Sequence, residues 1–249
     1  MPTALITGAS AGLGAEFARQ LAAQGYDLVL TARDEGRLTE LAGTLPNVTV
    51  EVLAADLLSA DGLARVEARV AGTASPIDLL VNNAGFGLQK SFAENSIDDE
   101  VNLAELLMVV PLRLSHAALS QMLPRASGTI VNVASVAGYT PRETYGAAKT
   151  WMLSFSRWAN AFYRGRGVTV TAIAPGFTRT EFHSRMGITD VDDVPGFLWL
   201  KAETVVRVGL RDVARGKAIS IPTLRYKLAV ALASVLPTSL VVRMAARGR

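Results

Sequence analysis

Seven short apolar runs, at 3–7, 27–32, 48–54, 77–81, 129–134, 168–174 and 217–221, are separated mostly by stretches of helical spacing, such as 13–24, 36–45, 62–71, 97–123 and 145–164. The runs look continuously apolar rather than alternating. That pattern suits strands covered on both faces, and helices between strands supply the cover. The alternation therefore predicts an α/β chain: a doubly wound, parallel seven-stranded sheet in three α/β/α layers. No repeat, low-complexity tract or linker divides the 249 residues, half of them hydrophobic, so the reading is a single domain over 1–249.

Composition closes several routes. With no cysteine there is no disulfide scaffold, thiolate metal site or cysteine nucleophile. The two histidines, His116 and His183, are far apart, so no metal site is expected. The net charge of +3 is spread along the chain and no nucleic-acid-binding module is recognisable, so no nucleic-acid partner is expected. The first residues lack a basic region and a cleavage site. The expected location is cytoplasmic, with membrane association through the tail as a further option.

Two regions stand apart from the alternation. The irregular stretch 176–200 reads as a substrate lid, because ligands of open α/β sheets lie beyond the carboxyl ends of the strands. The extension 222–249 is apolar over 228–242, too short to span a bilayer and interrupted by Pro237. Arg225, Lys227, Arg243, Arg247 and Arg249 flank it. Packing on the core or on another subunit is the plain reading; contact with a lipid surface or a lipophilic substrate is the sharper one.

Thr7-Gly8-Ala9-Ser10-Ala11-Gly12-Leu13-Gly14 follows the first run and opens the first helical stretch. Glycines there permit a tight turn and close approach of a diphosphate, and a helix N-terminus supplies open N–H groups and positive dipole. At the end of the second run, Ala32 stands where an acid would bind a ribose 2′-hydroxyl, and Arg33 follows. A guanidinium there suits a 2′-phosphate, so NADP(H) is expected in preference to NAD(H).

These residues resemble the short-chain dehydrogenase/reductase family in its single-domain branch. The likeness runs in order along nearly the whole chain. It takes in 7–14, Asp56-Leu57, Asn82-Asn83-Ala84-Gly85, Ser135, Tyr145-Gly146-Ala147-Ala148-Lys149, and Pro175-Gly176 with Thr180. The resemblance implies a Rossmann fold in which Gly8, Ser10, Gly12, Leu13 and Gly14 hold the diphosphate and Asp56 and Leu57 border the adenine. Asn83, Ala84 and Gly85 would support the adenosine ribose and the strand end. Pro175, Gly176 and Thr180 would hold the nicotinamide carboxamide.

Tyr145 and Lys149 are four apart, so a helix presents both on one face. A free phenol, of pKa ~10, is a poor base at neutral pH, and a neighbouring ammonium stabilises its anion. By the resemblance, Tyr145 exchanges the proton with a ketone or alcohol oxygen. Lys149 lowers its pKa and binds the nicotinamide ribose, and Ser135 donates to the developing oxyanion.

Two departures from the family stand out. The loop between Ser135 and Tyr145 is short, which opens a role for Thr140 or Thr144. Leu107 occupies the position of the usual asparagine of the long helix, where Pro111 should cause a kink that frees backbone carbonyls. Asn102 is not aligned with that position. His116 reads as a packed or capped helix residue and His183 as a solvated lid residue. Trp151, Phe155 and Trp158 form one helical stripe, read as core or subunit interface. A homo-oligomer is expected.

The leading function is an NADP(H)-dependent reductase or alcohol dehydrogenase acting on a lipophilic ketone or secondary alcohol, with a 3-oxoacyl or other lipid-chain ketone preferred. The lid residues Phe197-Leu198-Trp199-Leu200 and the tail motivate that choice. The alternative is a dinucleotide-binding regulatory protein without turnover.

Overall fold

A computed structural model describes residues 1–181, 195–237 and 241. Strand β1 (Thr3–Thr7) leads into helix α1 (Gly12–Ala23), β2 (Asp27–Ala32) into α2 (Glu35–Gly43), and β3 (Val50–Ala54) into α3 (Ala60–Ala71). After β4 (Leu79–Asn82), α4 (Ile97–Ala104) passes through a π-helical turn, Glu105–Val109, into α5 (Val110–Met122). Then come β5 (Gly128–Val133), a 3-10 turn over Val136–Tyr139, α6 (Glu143–Tyr163) and β6 (Val168–Ile173). The two-residue strands β7 (Thr178–Arg179) and β8 (Leu200–Lys201) precede α7 (Ala202–Ala214), β9 (Ile219–Ser220) and α8 (Leu224–Val235).

The main sheet has the order β3-β2-β1-β4-β5-β6-β9, and every ladder in it is parallel. The order reverses between β1 and β4, so the carboxyl ends of these two strands open a crevice above the sheet. Alternate residues of each strand feed opposite layers. Ala4 and Ile6 face the layer of Phe17, Leu21, Leu38 and Val206, and Leu5 faces that of Val66, Leu114 and Met122. All of these are fully buried, each contributing about 1.5–3 kcal/mol for the larger side chains.

Local signals set several helix starts. Asp34, Ser59 and Ser96 accept from Arg37 N, Gly62 N and Asp99 N at 3.0, 3.0 and 3.1 Å, caps of about 1 kcal/mol each. Three sequence expectations need adjustment. The last strand is only two residues long, the β7–β8 ladder was not foreseen, and the break in the long helix is a π turn ahead of Pro111. Most of the expected lid, 182–194, and 238–240 and 242–249 of the tail lie outside the described residues.

Candidate active site

The first βα turn is shaped by close backbone approach. Gly8 and Gly12 have φ of 64° and 56°, which side chains rarely adopt. A Cβ on Gly14 would stand 2.1 Å from the Gly8 carbonyl oxygen. Thr7 Oγ1 accepts from Asn83 N and Ala84 N at 2.9 and 3.0 Å and donates to Val81 O at 3.2 Å. The Asn83 amide donates to Thr7 O and Gly8 O at 2.9 and 3.2 Å. The tip of β4 is thus welded to the turn. At the head of α1, Ala11 offers no side-chain cap and the first turn carries no acid, in contrast to α2, α3 and α4. Open N–H donors above a surface that a Cβ would fill fit a dinucleotide diphosphate. Ser10 and Leu13 lie half-buried in the same turn.

Arg33, just after β2, is exposed and makes no ion pair among the described residues. One helical turn on, Arg37 forms a bidentate pair with Glu181, at 2.9 and 2.6 Å. This pair joins α2 to the segment after β7, across the Gly-rich turn. Thr180 reaches the same place, because a Cβ on Gly12 would be 3.2 Å from Thr180 Cβ. Asp56 is exposed and accepts from Leu58 N at 3.0 Å, whereas Leu57 is buried beneath α3 with Leu63 and Val66. Pro175 O accepts from Val136 N at 2.9 Å, tying the end of β6 to the 3-10 turn.

That turn and α6 form the reacting corner. Thr150 Oγ1 is within 2.8 Å of both Gly138 O and Gly146 O, and a Cβ on Gly138 would come within 2.8 Å of the Lys149 backbone. The clamp brings Ser135, at the head of the turn, into hydrogen bonding with Tyr145. Ser135 Oγ also accepts from Ala137 N at 3.1 Å. The short loop closes at a cost: Glu143 has φ of 40°. Thr140 spends its hydroxyl on Ala137 O at 3.2 Å.

Lys149 is buried, and its Nζ donates to Val133 O at 2.7 Å and lies 5.6 Å from the Tyr145 ring centre. The ammonium is expected to depress the tyrosine pKa, and burial acts against it. Burial pushes the Tyr145 phenol up, the Ser135 hydrogen bond and the Arg142 guanidinium pull the other way, and the net direction is upward. Burial lowers Lys149 itself to about 8. At neutral pH the phenol keeps its proton.

Leu107 sits in the middle of the π turn, fully buried, and its Cδ2 would be 2.8 Å from a Cβ on Gly85. Pro111 has no N–H, so the Leu107 carbonyl lacks its α-helical donor. Leu103, Leu107 and Ala148, with the half-buried Phe86, Leu88, Met108 and Tyr145, make one apolar cluster. Asn102 and His116 are exposed on their helices, and His183 lies outside the described residues.

Residues 2–189 match the model of the short chain dehydrogenase family. The chain belongs to that family. A short-chain dehydrogenase from Sphingobium yanoikuyae, solved in complex with NADPH, is 35% identical, with 95% of this chain and 97% of that one covered and a TM-score of 0.85. A bulky-bulky ketone specific alcohol dehydrogenase from Comamonas testosteroni is 32% identical over 95% of each chain, with a TM-score of 0.81. Sulfoacetaldehyde reductase 2 of Chromohalobacter salexigens is 35% identical over 72% of this chain and 73% of its own length. As a family member the chain is an oxidoreductase of alcohol and ketone groups that binds a nicotinamide dinucleotide.

Sequence reasoning missed three residues of this short-chain dehydrogenase. Arg37 follows Arg33 by one turn, a spacing visible in the sequence. Arg142 gives no signal before α6 is placed. Tyr226 of α8 covers Gly176, where a Cβ would be 1.9 Å from its Cζ. Its hydroxyl donates to Leu198 O at 2.8 Å and accepts from Phe177 N at 3.1 Å.

Proposed function

We propose that the enzyme reduces a bulky, apolar ketone to the secondary alcohol with NADPH. Tyr145 acts as proton donor, Ser135 as hydrogen-bond donor to the carbonyl oxygen, and Lys149 as the cation that holds the nicotinamide ribose. The observation that carries the reading is the Ser135–Tyr145 hydrogen bond beside buried Lys149, with the phenol held protonated. A protonated phenol is an acid, which is what reduction needs at neutral pH. With its diphosphate held by 7–14 and its nicotinamide by Pro175, Gly176 and Thr180, the dinucleotide would supply the hydride for reduction and take one up in oxidation. As the carbonyl oxygen gains charge, Ser135 and Tyr145 donate to it, and Tyr145 completes the proton transfer. The Leu107 side chain has no polar group for a water, so a water that relays the proton back to Tyr145 would be held by the backbone carbonyl that Pro111 leaves without its α-helical donor.

Arg33, with no acid at position 32, supports NADP(H) over NAD(H), and the NADPH of the Sphingobium relative points the same way. Phe86, Leu88 and Met108 around Tyr145, and the Phe177–Trp199 pair at 5.7 Å, support an apolar substrate, as does the bulky-ketone specificity of the Comamonas relative. Within that class, a lipid-chain ketone such as a 3-oxoacyl group remains the preferred reading. The ladder Trp151, Phe155, Trp158 and Phe162 on α6, with Trp158 and Phe162 about half exposed, supports a homo-oligomer contact on that helix. A screen of NADPH oxidation against apolar ketones of increasing size, run on wild type and Tyr145→Phe, tests the reading. Wild type should turn over the larger ketones, and the variant should lose about 10²–10⁴-fold in rate while binding NADPH unchanged. Tight NADPH binding with no turnover of any ketone would instead favour the regulatory alternative.

A further inference from the structure

Helix α8 is apolar on nearly every side, yet it lies in solvent. Leu224, Leu228, Leu232 and Val235 are 71, 62, 55 and 77% exposed. Their spacing of four, four and three sets them along one face. On its inner side the helix is fastened through Tyr226, which covers Gly176 and hydrogen-bonds Phe177 and Leu198. The next link is Arg225 Nη2, which donates to Trp199 O at 3.2 Å. Phe197, 68% exposed, directly precedes Leu198 in the chain. An aliphatic stripe this long is costly to leave in water, so it calls for an apolar cover.

Charge decides which cover. From 218 to 249 the chain carries Arg225, Lys227, Arg243, Arg247 and Arg249 and no aspartate or glutamate. In a two-fold contact the same surface meets itself. Two copies of the α8 face would bring Arg225 and Lys227 of each copy together, and α8 itself has no carboxylate to pair them. An anionic lipid surface offers both things the region lacks, hydrocarbon for the leucines and negative charge for the cations. The helix is about 18 Å long, too short to cross a bilayer core of about 30 Å, so it would lie in the interface.

We infer that α8 docks the enzyme on an anionic membrane surface, with its leucine stripe in the acyl boundary and the substrate side of the sheet, at Gly176 and Phe197, beside the bilayer. The inference stands apart from the choice of ketone. It concerns where the protein sits, whatever it reduces.

Vesicle flotation tests it, using the full chain with phosphatidylcholine vesicles and with vesicles that also contain phosphatidylglycerol. The expected result is flotation with the anionic vesicles only, weakened by high salt. Leu228→Gln and Leu232→Gln should each weaken binding about tenfold, and Lys227→Glu should weaken it too. Reduction of a water-soluble ketone and the elution volume on size exclusion should not change. No flotation, or equal flotation with both kinds of vesicle, overturns the inference. So does dissociation of the leucine variants into smaller oligomers, which would assign the stripe to a second copy. A fall in melting temperature with vesicle binding intact would assign it to the chain's own packing, and would overturn the inference equally.

Discussion

The nucleotide cradle and the reacting corner lie over the same sheet but are built on opposite economies. In the cradle, the polar groups of Thr7 and Asn83 are satisfied by one another and by backbone, and the glycines admit no other side chain. In the corner, a buried ammonium lies beside a half-buried phenol, and both are pushed toward their neutral forms. The cradle therefore serves stability and binding together. The corner holds chemistry at the expense of stability.

The sharpest way to break this contrast is Gly14→Val. Its Cβ would start 2.1 Å from the Gly8 carbonyl and 2.6 Å from the Asn83 amide. We expect loss of about 3 kcal/mol or more in folding stability, read by urea titration, together with loss of NADPH binding. A stable variant with weak cofactor binding would show that the cradle is less rigid than its contacts imply. Lys149→Met should do the reverse, abolishing turnover while raising stability at pH 7 by roughly 1–3 kcal/mol. The folded pKa of about 8 lies below the ordinary 10.5. The folded state therefore binds fewer protons than the unfolded between these values, and wild-type stability rises with pH across that window. The advantage of the variant should be full below about pH 8 and gone above about 10.5. Thermal melts at pH 7 and pH 10 check this. The smallest effect is expected at the rim of the cradle, where Arg33→Ala should weaken NADPH about tenfold and leave NADH unchanged. Equal loss of both cofactors would move the 2′-phosphate contact elsewhere, with Arg37 the next candidate.

The centre of the fold was legible because β1, β2, β5 and β6 are buried on both faces and so read as short, mostly apolar runs between helical stretches. β9 was overdrawn, since only Ile219 and Ser220 pair with β6. The cofactor turn and the Tyr145–Lys149 pair could be found in sequence because both are local, a turn and a four-residue step on a helix. Contacts that join distant segments could not. The Arg37–Glu181 pair and the Tyr226–Gly176 contact exist only once α2, α8 and the ends of β6 and β7 share one edge. The π turn escaped because Pro111 marked the helix as disturbed without showing that the disturbance falls one turn earlier. The opposing pull on Tyr145 was not legible, because spacing reveals a neighbouring cation but not the loss of water around the phenol.

The weld between the tip of β4 and the glycine turn has a kinetic corollary. Thr7 and Asn83 lock the landing platform during folding, so an arriving dinucleotide has little backbone left to arrange there. Capture at that end should be quick and rigid-body in character, and any slow step in assembling the working complex belongs to the opposite rim, beyond β6.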